Sequence, residues 1–137
     1  MISLTPIAQS AGFKVAPHSL ESVPVNMGRL LEMADDDPSQ LRELVDMYVK
    51  ESTGVMHDLK LSVQAGDWDQ TERLAHRLGG TSAVCGVNQI TLPLRDLEMA
   101  AQAGHRSFNE MLLIQATHEH ARAIEYLEEL GLTEVAQ

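Results

Sequence analysis

Residues 75–86 read AHRLGGTSAVCG, and how the chain passes through them decides the fold. If one helix runs from the histidine through Gly79-Gly80, a side-chain-poor turn lies beside His76. If the glycines end the helix, His76 sits in a frayed last turn. Each glycine in a helix interior costs about 1 kcal/mol relative to alanine, so an unbroken helix gives up about 2 kcal/mol here. Leu78-Gly79-Gly80 also reads as a plain C-cap, with Thr81-Ser82 opening a new helix.

At about 100° per residue, Leu74, Leu78 and Cys85 fall on one side of a continuous helix, about 160 to 200° from His76. His76 then points outward. On its own side lie Asp69, Glu72, Arg73, Gly79, Gly80, Ala83 and Val87. The bulky and charged members precede the histidine, and the small ones follow it. The expectation is a flat surface beside His76 that another protein's backbone can approach, with Gly79, Gly80, Ala83, Val87 and Glu72 as docking residues.

Working outward, Asp67-Trp68-Asp69-Gln70 places an aspartate cap before this helix, and Gly86 is its natural stop. Upstream, Asp37-Pro38-Ser39-Gln40 sets a cap, a proline at the first helical position and a glutamine able to reach back. From there Leu41, Leu44, Val45, Tyr48, Val49, Ser52, Val55, Met56, Leu59 and Val63 keep a three-and-four spacing until Gly66. Asn26 caps a short helix reaching Ala34. Asn88 or Thr91 can cap the helix that ends near Ala103-Gly104, with Pro93 in its first turn. Ser107 and Glu110 form a capping box for the last helix, whose inward stripe reads Leu113, Ala116, His120, Ala123, Ile124, Leu127 and Leu130 and which ends before Gly131.

No run alternates at the strand period, and the connections are short. The fold class is all-α: an antiparallel four-helix bundle with a short additional N-terminal helix over residues 26–132. Residues 1–25, with Pro6, Pro17 and Pro24 and no sustained period, read as a tail or docked arm.

Composition narrows the function. The 137 residues are 44% hydrophobic, enough for one core. Twenty acidic residues against ten basic ones give a formal charge of -10, which repels phosphate backbones and anionic membranes. Nucleic acid and membrane are therefore excluded as partners. With Cys85 as the single cysteine, no intramolecular disulfide can form. The N-terminus lacks the basic start and unbroken apolar core of a signal peptide, and the expected location is cytoplasmic. His118-Glu119-His120 looks like a metal motif, yet residues two apart on a helix diverge by about 200° and cannot share one ion. No metal and no cofactor is expected.

The string AHRLGGTSAVCGVNQI, followed by LRDLE, resembles the pattern of the histidine phosphotransfer (HPt) domain, A-H-x-L-K-G-S-[SA]-x-x-x-G-[AL] and then a leucine-rich helix ending in L-E. LRELVDMYVKESTGVMHDLKLSVQAGDWDQTERLAHRL is similar to the family's preceding helix and turn, so the resemblance covers roughly residues 26–130. It implies a phosphocarrier rather than a free-standing enzyme. His76 would accept a phosphoryl group from a response-regulator receiver aspartate and pass it to another, and a hybrid sensor kinase would belong to the same relay. The receiver would supply the magnesium ion and most of the charge stabilisation, leaving this chain, a monomer, to position an in-line nucleophile. A neutral imidazole suits that task.

The pattern has a lysine three residues after the histidine, and this chain has Gly79. On helical geometry Arg73, about 60° around the helix from His76, is the replacement counter-charge, with Arg77 second at about 100°. The alternative function is a pseudo-HPt or helical adaptor that binds a receiver or kinase without being phosphorylated.

Overall fold

A computed structural model describes residues 23–133. Residues 1–22 of the expected N-terminal arm lie outside the described residues. Its last residue, Val25, is 1% exposed and belongs to the core.

Five helices follow one another: α1 Met27–Met33, α2 Pro38–Ala65, α3 Trp68–Val84, α4 Thr91–Ala103 and α5 Arg106–Glu129. The neighbour pairs α2–α3, α3–α4, α4–α5 and α5–α2 close a ring, and α1 packs on α2. Short connections make successive helices antiparallel. The result is the expected four-helix bundle with a short extra helix.

The caps explain most of the boundaries. Asn26 Oδ1 accepts from Arg29 N at 3.1 Å, Asp37 Oδ1 from Ser39 N at 2.9 Å and Asp67 Oδ1 from Gln70 N at 3.2 Å. Gly66 and Gly104 end α2 and α4 with φ of 72° and 68°, in the left-handed region that glycine enters without a Cβ penalty. Three expected caps are absent. Gln40 makes no side-chain hydrogen bond among the described residues. At the start of α4, Ile90 occupies the cap position without a side-chain bond, and Thr91 Oγ1 donates back to Asn88 O at 2.6 Å. The chain enters α5 at Arg106, after His105, so Ser107 is already inside the helix and cannot cap it. Asn109 instead ties this turn to the end of α4, its Nδ2 donating to His105 O at 2.7 Å and Ala100 O at 3.1 Å.

The apolar stripe of α2 packs inward much as its spacing predicts, with Leu41, Val45, Tyr48, Val55, Leu59 and Val63 buried. That of α5 is shifted. Leu112, not Leu113, is its fully buried leucine in that turn, and Leu130 is exposed, because α5 ends at Glu129 and the chain turns at Gly131.

Polar pairs staple the helices from inside. Tyr48 Oη and Ser82 Oγ lie 2.7 Å apart, joining α2 to α3. Burial pushes the tyrosine hydroxyl up to about 12, so it stays protonated. Ser62 and Thr71 meet at 2.7 Å across the α2–α3 turn. Ser52 Oγ lies 2.8 Å from His120 Nε2 on α5.

Burial lowers the His120 pKa below its usual 6.5, which gives a pH dependence with a defined sign. As pH falls below about 6.5, the unfolded chain binds a proton that the native state refuses, and stability drops until the depressed native pKa is passed. One such proton sets a slope of at most about 1.4 kcal/mol per pH unit. Urea unfolding between pH 7.5 and 5 is expected to show this loss, and His120→Gln to flatten it. Equal slopes for both proteins would remove His120 as the cause.

Candidate functional site

α3 runs without a break from Trp68 to Val84. Neither Gly79 nor Gly80 has a positive φ, so the double glycine is helix interior and not a C-cap. Adjacent turns therefore present His76, Gly79, Gly80 and Ala83 along one face.

The glycines are not there to let helices pack. A Cβ at Gly79 would meet only Leu94 Cβ, at 3.9 Å, and one at Gly80 would meet nothing within 4 Å. Both positions have room for a side chain. Among the described residues nothing fills the space they leave, so the surface beside His76 is open to something that approaches from outside.

His76 is open to that approach, with its side chain 77% exposed. It is nonetheless held: Nδ1 lies 3.0 Å from Glu98 Oε2 on α4. An ionised carboxylate can only accept, so the imidazole donates through Nδ1–H. That fixes the neutral tautomer and leaves the Nε2 lone pair free, and Nε2 makes no hydrogen bond among the described residues. An imidazole with one nitrogen bonded to a carboxylate and the other bare is an oriented nucleophile.

Glu98 extends the site onto α4. A shallow concavity of about 280 Å³ lies between the two helices, lined by Ala75, His76, Gly79, Gly80 and Ala83 from α3 and by Thr91, Arg95 and Glu98 from α4. Sequence periodicity places the α3 residues but does not find the α4 set. The signal available was their spacing: 91, 95 and 98 share one helix face.

The other expected residues divide. Gly80 and Ala83 are exposed beside His76 and Gly79 is half-buried. Glu72 is half-buried, accepting from Gln102 Nε2 at 2.7 Å. Val87 is a correction. It is 1% exposed and sits in the core, because α3 ends at Val84 and the chain reverses at Gly86, φ 78°, carrying Val87 under the bundle. The arginines expected to supply positive charge are directed elsewhere: Arg73 Nη2 donates to Gln70 Oε1 at 2.9 Å, and Arg77 Nη2 lies 3.3 Å from Glu51 Oε2 on α2. Neither lines the concavity.

Cys85 is buried and burial raises its pKa, which disfavours the thiolate needed for reactivity. In the HEH stretch, His118 is exposed, Glu119 lies 2.8 Å from Arg122 Nη1, and His120 meets Ser52. Among the described residues no three His, Cys, Asp or Glu side chains are grouped to hold a metal, and no helix is long and apolar enough to cross a membrane.

The described helices thus form a bundle in which an exposed imidazole is held by a carboxylate. The comparison with protein families gives the class of protein. The Hpt domain model matches residues 43–131, and the chain belongs to that family. Hpt domains are phosphocarrier modules of phosphorelays, interacting with receiver and kinase proteins. No curated protein and no solved structure gives a significant match.

Proposed function

We propose that this protein is a monomeric, cytoplasmic phosphocarrier that accepts a phosphoryl group on His76 Nε2 from a receiver aspartate and delivers it to another receiver, in a relay fed by a hybrid sensor kinase. The observation that carries this reading is the imidazole itself: exposed at mid-helix, held through Nδ1 by Glu98, with a side-chain-free surface next to it.

The transfer balances on the groups present. The Nε2 lone pair forms the N–P bond while the acyl O–P bond of the aspartyl phosphate breaks and the aspartate carboxylate leaves with the electron pair. Nδ1 keeps its proton, so the product is an imidazolium whose positive charge faces Glu98. The carboxylate thus stabilises the charge that develops on the ring. Return of the phosphoryl group to a second aspartate reverses the same step. The receiver supplies the acceptor and the magnesium ion, and this chain supplies position.

Incubation with a phosphorylated receiver is expected to leave acid-labile, hydroxylamine-sensitive label on the wild-type chain and none on His76→Gln. A receiver that binds both proteins equally and labels neither would instead establish an adaptor that docks without accepting phosphate.

A further inference from the structure

The Hpt pattern has a lysine at the position of Gly79, so a phosphoryl group on His76 lacks a counter-charge from its own helix. The two arginines nearest in sequence are turned to Gln70 and Glu51. Where the compensating charge lies is settled by the register between α3 and α4. Glu72 meets Gln102, His76 meets Glu98 and Gly79 faces Leu94, so each step forward along α3 is a step back along α4. Arg95, next to Leu94, therefore stands level with Gly79 and Gly80. It lines the same concavity as His76.

We propose that Arg95 is the phosphoryl-binding residue of this site, contributing from α4 the positive charge that α3 lacks. Three observations converge on it. Arg95 is exposed and makes no ion pair or hydrogen bond among the described residues, so its guanidinium is not already neutralised. About 4.5 Å of axial rise separates it from Glu98, the residue that holds the imidazole, within reach of a long side chain. Gly79 and Gly80 put no side chain between the two helices, so the guanidinium can cross to the phosphoryl oxygens. A guanidinium offers paired N–H donors that match two of those oxygens. In this arrangement Glu98 balances the imidazolium and Arg95 balances the phosphoryl dianion attached to it.

The assignment rests on His76 carrying phosphate, and the test separates the two ideas by beginning without a receiver. Phosphoramidate, a small donor to imidazoles, is used to load wild type, Arg95→Ala and the double variant Arg95→Ala/Gly79→Lys. The titration of the phosphoryl group is then followed by ³¹P NMR. In wild type the neighbouring cation is expected to lower the phosphoryl pKa; Arg95→Ala should return it towards that of free phosphohistidine, and the lysine at 79, which has room, should lower it again. With a receiver added, the equilibrium share of phosphate on His76 is expected to fall about threefold to fivefold in Arg95→Ala, the size typical of an exposed ion pair, and to recover in the double variant. A merely structural role for Arg95 would move neither the titration nor its recovery. Label on wild type with the same titration in Arg95→Ala overturns the Arg95 assignment alone. Failure of wild-type His76 to take up or hold label from any donor overturns the carrier reading, and the assignment with it.

Discussion

Leucine in place of Gly80 is expected to make the protein more stable and nearly incapable of phosphotransfer. The two effects have separate origins. A helix-interior glycine exchanged for a good helix former gains about 1 kcal/mol, and position 80 has nothing within 4 Å of an added Cβ to oppose the gain. The same emptiness is what an incoming receiver needs. A branched side chain one turn from His76 would hold the partner's backbone off by several ångströms, and a displacement of about 1 Å in a near-attack geometry can cost about a hundredfold. Gly80→Ala is the control. It should keep the stability gain while costing far less transfer, since a methyl group barely rises above the helix backbone. Urea unfolding gives the first quantity and the rate of label transfer from a phosphorylated receiver the second. Gly80→Leu transferring at the wild-type rate would mean that the partner docks on another face.

Gly86→Ala is expected to act in the opposite direction, destabilising the fold by about 2–4 kcal/mol. At φ 78° an L side chain is already strained. Space is the larger problem. A Cβ here would lie 2.9 Å from Asn26 O and 2.9 Å from Arg29 Cβ, and both belong to the contact that seats α1 on the end of α3. In that contact Asn26 N donates to Gly86 O at 2.7 Å and Arg29 Nε donates to Val84 O at 3.0 Å. The arginine thus satisfies one of the carbonyls that every helix C-terminus leaves open. Adding a methyl group pushes α1 off this seat and uncaps α3. Gly131→Ala separates backbone strain from the clash: its φ is similar, 73°, but nothing lies within 4 Å, so its cost should stay near 1 kcal/mol. Equal losses at the two positions in chemical denaturation would show that the α1 seat contributes nothing.

The glycine at 80 and the glycine at 86 look alike in AHRLGGTSAVCG, and the difference between them shows how far a sequence can be read. Helical periodicity is a local property. It needs only the rise and rotation of one helix, so it correctly placed Leu74, Leu78 and Cys85 inward and His76 outward, and the aspartates at 37 and 67 started their helices where the side chain could accept a backbone N–H. Val87 was misplaced for the same reason. Helical rotation was carried past Val84, where the helix had ended, and the rule no longer applied.

From the chain alone came the all-α class, the number and direction of the helices and the outward face on which His76 stands, because each follows from spacing within a single segment. Which residues meet that histidine was decided only by the tertiary structure. Glu98 lies 22 positions from His76, and the register that brings it and Arg95 alongside follows from how α3 and α4 pack on either side of the Gly86 turn, contacts between segments that no periodicity within either helix encodes.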